Sequence, residues 1–160
     1  MSETPVTATP AFRRIAVAMA LAIVVVVGAA ACSSDDTAKS ISINDPWVMN
    51  ATMSQGNGAA FMTVENTSSN EDELIAVSVP SSVATEAQMH DVTMEGEMMK
   101  MVQVQAVSIP AKGTREFKHG SFHIMLMGLQ NPLEIGSTVD ITMTFKNAGK
   151  MTVSFPVEKS

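Results

Sequence analysis

From residue 41 onward, apolar and polar positions alternate with a period of two, the pattern of half-buried strands. It predicts strands over residues 59–65, 74–79, 84–90, 98–107, 114–118, 122–126, 138–145 and 151–157, rich in β-branched residues. Turn chemistry separates many of them: NTSSNED at 66–72, Pro80, MEGE at 94–97, PAKG at 110–113, His119-Gly120, NPLEIG after the sixth strand and NAGK at 147–150. No segment carries a long helical period bounded by caps. Many short strands at this spacing predict an all-β fold, an antiparallel sandwich over residues 41–157 that is long enough to bury a core.

The first residues follow another pattern. Arg13 and Arg14 precede an uncharged run, IAVAMALAIVVVVGAAA over 15–31, and Cys32 follows at once. A positive segment, an apolar stretch and small residues before a cut predict a signal peptide over 1–31, although the run also approaches the roughly 20 residues that span a bilayer. Cys32 is the single cysteine of the chain, so it has no internal disulfide partner. GAAACSS resembles a bacterial lipobox, with Ala29 where such boxes usually carry Leu; this predicts a lipid on Cys32 and a flexible tether over the following residues to 40. The Arg13-Arg14 pair is a weak match to twin-arginine export signals. An ordinary secreted protein cut near the same place is the alternative.

Without residues 1–31, Lys plus Arg falls from 10 to 8 and Asp plus Glu from 16 to 15, so the net charge moves from −6 to −7. An acidic chain without a basic block argues against nucleic acid and against electrostatic binding to anionic lipid. It suits cations or a basic partner surface.

Methionine changes the picture further. The chain has 14, five of them (Met89, Met94, Met98, Met99, Met101) between residues 89 and 101, and Met125 and Met127 close to a histidine. Methionine is ordinarily a core filler. In FHIMLM, however, alternation puts Phe122, Ile124 and Leu126 on one face and His123, Met125 and Met127 on the other. An imidazole and a thioether two residues apart form the donor mixture that favours Cu(I). On the strand over 84–90, Glu86, Gln88 and His90 share a face; on the next, Met99 and Met101 do. If the fold brings His90 and Met101 to the same end of the sandwich as His123 and Met125, two imidazoles and two thioethers are available to one ion.

Ten residues separate His90 from Met101, 21 separate Met101 from His123 and one separates His123 from Met125. This order, in the strings MHDVTMEGEMMKM and HGSFHIMLMGLQNPL, resembles the periplasmic copper chaperone family PCu(A)C. PWVM at 46–49 and GAAFMTVEN at 58–66 resemble its N-terminal strands, and the resemblance covers roughly residues 41–157. It implies a cupredoxin-like Greek-key β-sandwich, a Cu(I) site near the surface and copper supply toward the dinuclear centre of cytochrome c oxidase through a subunit or assembly factor. Carried over by position, the ligands are His90, Met101, His123 and Met125. Two features depart from the family: the expected lipid anchor, which would hold this chain at the cell membrane, and a surplus of methionine that leaves Met94 or Met99 able to replace Met101. Met127 and His119 are further candidates, His119 in a turn where a solvated role is expected. A secondary Cu(II) site in the tether or on the histidines stays open.

Other chemistries fit less well. A blue-copper carrier needs a cysteine thiolate in the domain. A zinc hydrolase wants three His or carboxylate ligands, and adjacent His90 and Asp91 point apart on a strand. Ser121 and His123 share a strand face, but no acid completes a nucleophilic set, so no enzyme is expected. A copper-sequestering lipoprotein would use the same residues as a chaperone, and a packing-only protein would bind no metal through them.

Overall fold

The computed structural model describes residues 40–52, 54 and 56–159. The expected signal peptide, Cys32 and the tether as far as residue 39 lie outside the described residues. Ten strands follow: β1 (Ile41–Met49), β2 (Asn57–Asn66), β3 (Asp72–Ser78), β4 (Ala84–Glu95), β5 (Met98–Val104), β6 (Val107–Ile109), β7 (Gly113–Phe117), β8 (His123–Leu129), β9 (Thr138–Phe145) and β10 (Gly149–Glu158). They form one hydrogen-bonded path, β5-β4-β8-β2-β1-β10-β9-β3-β6, with β7 also on β2. The path folds into two layers, each antiparallel within itself, which meet along a short parallel pairing of β1 with β10 at Val48↔Val157 and Met49↔Glu158. The chain passes between layers from β2 to β3, β3 to β4, β5 to β6, β6 to β7 and β8 to β9, so most sequence neighbours cross the sandwich.

Alternation decides what the layers bury. Ala60, Met62, Val64, Met89, Ile124 and Leu126 from the first layer meet Leu74, Ile141, Met143, Phe145 and Phe155 from the second in one core. Fully burying side chains of this size stabilises by about 1.5–3 kcal/mol each. Two readings of the pattern change. The strand expected over 98–107 divides at Gln105-Ala106: β5 stays in the first layer and β6 crosses to pair with β3. Apolar alternation continues through the crossing, which is why it is invisible in the sequence. Alternation misses β1, of which resemblance marks only PWVM at 46–49, for the opposite reason. Asp45 adopts φ 49° and Pro46 has no N–H, so the ladder slips between Asn44 and Trp47. That extra residue turns Trp47 to the outer face beside Phe61 and Val48 into the core.

Asp72, almost fully buried, ties two loops together: its carboxylate accepts from the backbone N–H groups of Glu73, Asn147 and Ala148 at 2.8–2.9 Å. Replacing it with Ala strands these donors. The expected result is a loss of about 2 kcal/mol or more in unfolding free energy, measured by urea denaturation with copper absent.

Candidate metal centre

The centre starts from an interrupted strand. β7 and β8 lie one after the other along the same edge of β2, pairing with residues 62–66 and 57–60 respectively. Between them residues 118–122 form a loop closed by Lys118 N–H donating to Phe122 O (2.8 Å) and Ser121 N–H donating to Lys118 O (3.1 Å). Phe122 is held at its end by Phe117 (6.1 Å between ring centroids) and by the Arg115 guanidinium over its ring. The next residue, His123, opens β8. Ile124 and Leu126 are completely buried on the core side, so the strand cannot rotate, and His123 and Met125 are fixed on the other face.

β4 lies beside β8 with His90 directly opposite His123, Gln88 opposite Met125 and Glu86 opposite Met127. β5 lies on the far side of β4 with Gln103 opposite His90, Val92 opposite Met101 and Met94 opposite Met99. Directly opposed residues point the same way. His90, Met101, His123 and Met125 therefore share the outer face of a single sheet, side by side on β5, β4 and β8, rather than converging from different parts of the sandwich. Met125 and Met101 lie on opposite sides of the histidine row along the strands. Met101, His123 and Met125 line a cavity of about 270 Å³ together with Met49, Val92, Phe61 and His119. Met94 and Met99 stand at the hairpin end, and Met127 lies beyond Met125; none of the three lines the cavity, and neither does His90, whose ring lies beside that of His123.

The two imidazoles are prepared alike. Nδ1 of His123 donates to Ser121 O at 2.8 Å, since a carbonyl can only accept, and this leaves Nε2 as a bare lone pair. Nε2 of His90 donates to Gln88 Oε1 at 3.0 Å, leaving Nδ1 bare. Those two remaining nitrogens, His90 Nδ1 and His123 Nε2, are buried without a hydrogen-bond partner, in rings whose centroids are 5.8 Å apart. Burial, and secondly the neighbouring His123, hold the His90 pKa below the usual histidine value of 6.5, which favours the neutral imidazole. A hydrogen bond at one ring nitrogen that frees the other is how metal-binding histidines are oriented.

An aromatic wall closes one side. Trp47 packs on Phe61 at 4.7 Å, His119 on Phe61 at 4.3 Å, and Phe61 lies 6.4 Å from His123. His119 is in an exposed turn, as expected, but its ring belongs to this wall instead of standing free in solvent. Among the described residues no group of three His, Cys, Asp or Glu side chains gathers. Asp91 is turned to its own chain, its Oδ1 accepting from Val92 N–H at 2.8 Å. The imidazoles and methionines on this face offer nitrogen and thioether sulfur, a neutral donor set. Sequence reasoning gave no role at this site to Gln88, Ser121, Phe61 or Trp47, although it placed Gln88 on the face of His90 and weighed Ser121 only as a nucleophile. Gln88 was within reach, since it shares the face of His90 two residues away. The Ser121 carbonyl and the aromatic wall depend on a loop and a bulge that alternation does not describe.

Residues 41–157 match the family described as "Putative lipoprotein LpqE-like". The chain belongs to this LpqE-like family. A curated relative, "Putative lipoprotein Lxx21020" of Leifsonia xyli subsp. xyli (strain CTCB07), is 35% identical over 122 residues, which cover 76% of this chain and 71% of the relative. Among solved structures, the copper-bound PCuAC domain from PmoF2 shares the fold, with a TM-score of 0.64 at 21% identity over 76% of this chain and 94% of that one. The Cu(I) form of DR1885 from Deinococcus radiodurans superposes with a TM-score of 0.59 at 29% identity, covering 80% of this chain and 86% of its own. The LpqE-like chain is thus a β-sandwich of the PCuAC type, the cupredoxin-like class that the sequence implied.

Proposed function

We propose that this protein is an extracytoplasmic Cu(I) metallochaperone, anchored to the cell membrane by a lipid on Cys32, that supplies copper toward the dinuclear centre of cytochrome c oxidase. One observation carries the copper reading: His90 and His123 lie directly opposite each other, and each holds a buried ring nitrogen, Nδ1 and Nε2 respectively, without a hydrogen-bond partner. An unsatisfied buried acceptor costs about 1–3 kcal/mol, and two side by side are a cost that a bound ion would remove. Thioethers of Met125 and Met101 complete a neutral donor set suited to a d10 ion. The solved relatives named as copper-bound support the same cargo, and the lipoprotein names of the family and of its curated relative support the anchor.

Release follows from the ligands. Met101 is half exposed at the cavity rim, whereas His123 is 4% exposed at its floor. An acceptor's thiolate would displace the Met101 thioether first, then Met125, leaving the imidazoles until last. No proton needs to move onto a thioether, so exchange costs little beyond the coordination bonds. The acidic surface suits an acceptor with a basic face, such as an oxidase subunit or its assembly factor, and this contact weakens as salt rises.

Protons compete with copper for the imidazoles alone. Because His90 titrates below 6.5, its neutral form is fully available above that value and is lost as pH falls through its lowered pKa. Apparent Cu(I) affinity is therefore expected to stay level from pH 8 to below 6.5 and to fall only as pH drops through the lowered His90 pKa, by about tenfold per unit for the one His90 proton displaced. Competition with a Cu(I) chelator, corrected for the chelator's own protonation, measures this. A flat profile down to pH 4.5 would remove histidine from the site.

Delivery is tested in the cell. Loss of the gene is expected to lower cytochrome c oxidase activity at limiting copper, with recovery when copper is added. Normal oxidase with heightened copper sensitivity would instead assign the protein to sequestration.

A further inference from the structure

We propose that the outer end of the β4–β5 hairpin is a second, weaker Cu(I) site, made by the thioethers of Met94 and Met99 with Met101, from which the ion passes to the histidine centre. This rests on the Cu(I) reading of that centre. Met94 is directly opposite Met99, Val92 opposite Met101, and His90 opposite both Gln103 and His123. All of these point to the same face. Going inward from the turn, the side chains met are a thioether pair, then Met101, then the imidazole pair.

Packing does not account for these methionines. Met94, Met99 and Met101 are 64%, 74% and 52% exposed, while Met89 on the same hairpin serves the core at 5%. Opposed Cβ atoms on paired strands are about 4.5–5.5 Å apart, and flexible thioethers at that spacing can converge on one two- or three-coordinate Cu(I). Charge is kept away from the same face. Thr93 is opposite Lys100 and Glu95 opposite Met98, so the Lys100–Glu95 ion pair (2.8 Å) lies on the other side of the hairpin, and the Lys100 ammonium does not face the sulfurs. Met98, 72% exposed on that other side, is excluded from the cluster. β5 ends the strand path, which leaves the hairpin open to an incoming donor. Met101 is the shared member: it can bind at the hairpin or at the cavity, and its exchange moves the ion inward without a change of oxidation state or a proton transfer.

The experiment is a Cu(I) titration of the full chain under reducing conditions, followed through the methyl signals of 13C-labelled methionine. The first equivalent is expected to shift Met125 and Met101, and a second, weaker one to shift Met94 and Met99, with the second independent of pH between 5 and 8. Met94→Leu with Met99→Leu, which keeps volume and hydrophobicity, is expected to abolish the second equivalent and leave the first with unchanged affinity. Stopped-flow loading of the first is expected to slow by about tenfold or more, through loss of the local copper concentration. Met98→Leu serves as the control and changes neither. A second equivalent that is missing in the parent, survives in the double variant or follows histidine titration would overturn the proposal. A missing first equivalent, read at Met125, would overturn the Cu(I) centre itself.

Discussion

Replacing His123 and Met125 together by alanine is expected to lower Cu(I) affinity by more than about a hundredfold. Changes to groups that merely orient a ligand already cost 10–100-fold, and this variant removes an imidazole and a thioether themselves. His123 supplies a buried nitrogen freed by its bond to Ser121, and Met125 stands next to it on the same strand face. The remaining His90 and Met101 are two strand positions apart and cannot enclose an ion alone. Because His123 is buried, its loss also leaves the Ser121 carbonyl without its donor, so the variant needs a circular dichroism spectrum beside the titration. Gln88→Ala gives a graded comparison. It frees the His90 ring without deleting a ligand, and the expected loss is within about 10–100-fold. Unchanged affinity in the His123 and Met125 variant would mean that copper, if bound, is held elsewhere.

Leu126→Ala carries the largest expected effect on the fold. Leu126 is completely buried behind the metal-facing strand, between Ala87 of β4 and Gly58 of β2 in the ladder. Cutting a buried leucine to alanine costs about 2–5 kcal/mol, including the cavity left behind. Gly58 lies so near Leu133 that a Cβ there would approach Leu133 Cδ1 to 2.7 Å. Backbone and side chains are thus already close at this point, and collapse into the vacated space is limited; the cost should fall in the upper part of that range. A melting-temperature drop on the order of 10 °C in the metal-free protein is the expected reading. A drop of only a degree or two would show that β8 is not braced from the core as described.

Period-two alternation revealed most of the sandwich because burial on one face is what selects the residues. The strand over Thr138–Phe145 was legible to its ends, and Ile124 with Leu126 marked the core side of β8. What stayed hidden are the places where pairing departs from simple alternation. Asp45 and Pro46 add a residue to β1, and Gln105-Ala106 changes layer without breaking the pattern; the break between β7 and β8 was legible as the His119-Gly120 turn, but not that both strands lie along one edge of β2. Of the candidate centre, the shared face of Gln88 with His90 and of His123 with Met125 was present in the spacing. That β4 would lie between β5 and β8, with His90 opposite His123, was not, since register comes from turns and long-range pairing. Nor did sequence reveal which imidazole nitrogens stay bare, because a backbone carbonyl decides one of them.

The most direct measurement of the central claim is X-ray absorption at the copper edge on the chain loaded with one equivalent of Cu(I). Both sulfur and imidazole scatterers in the first coordination sphere are expected, with the imidazole contribution lost in His90→Ala/His123→Ala. A sphere of nitrogen and oxygen alone, or of sulfur alone that survives that double substitution, would contradict a centre built on His90, His123, Met101 and Met125.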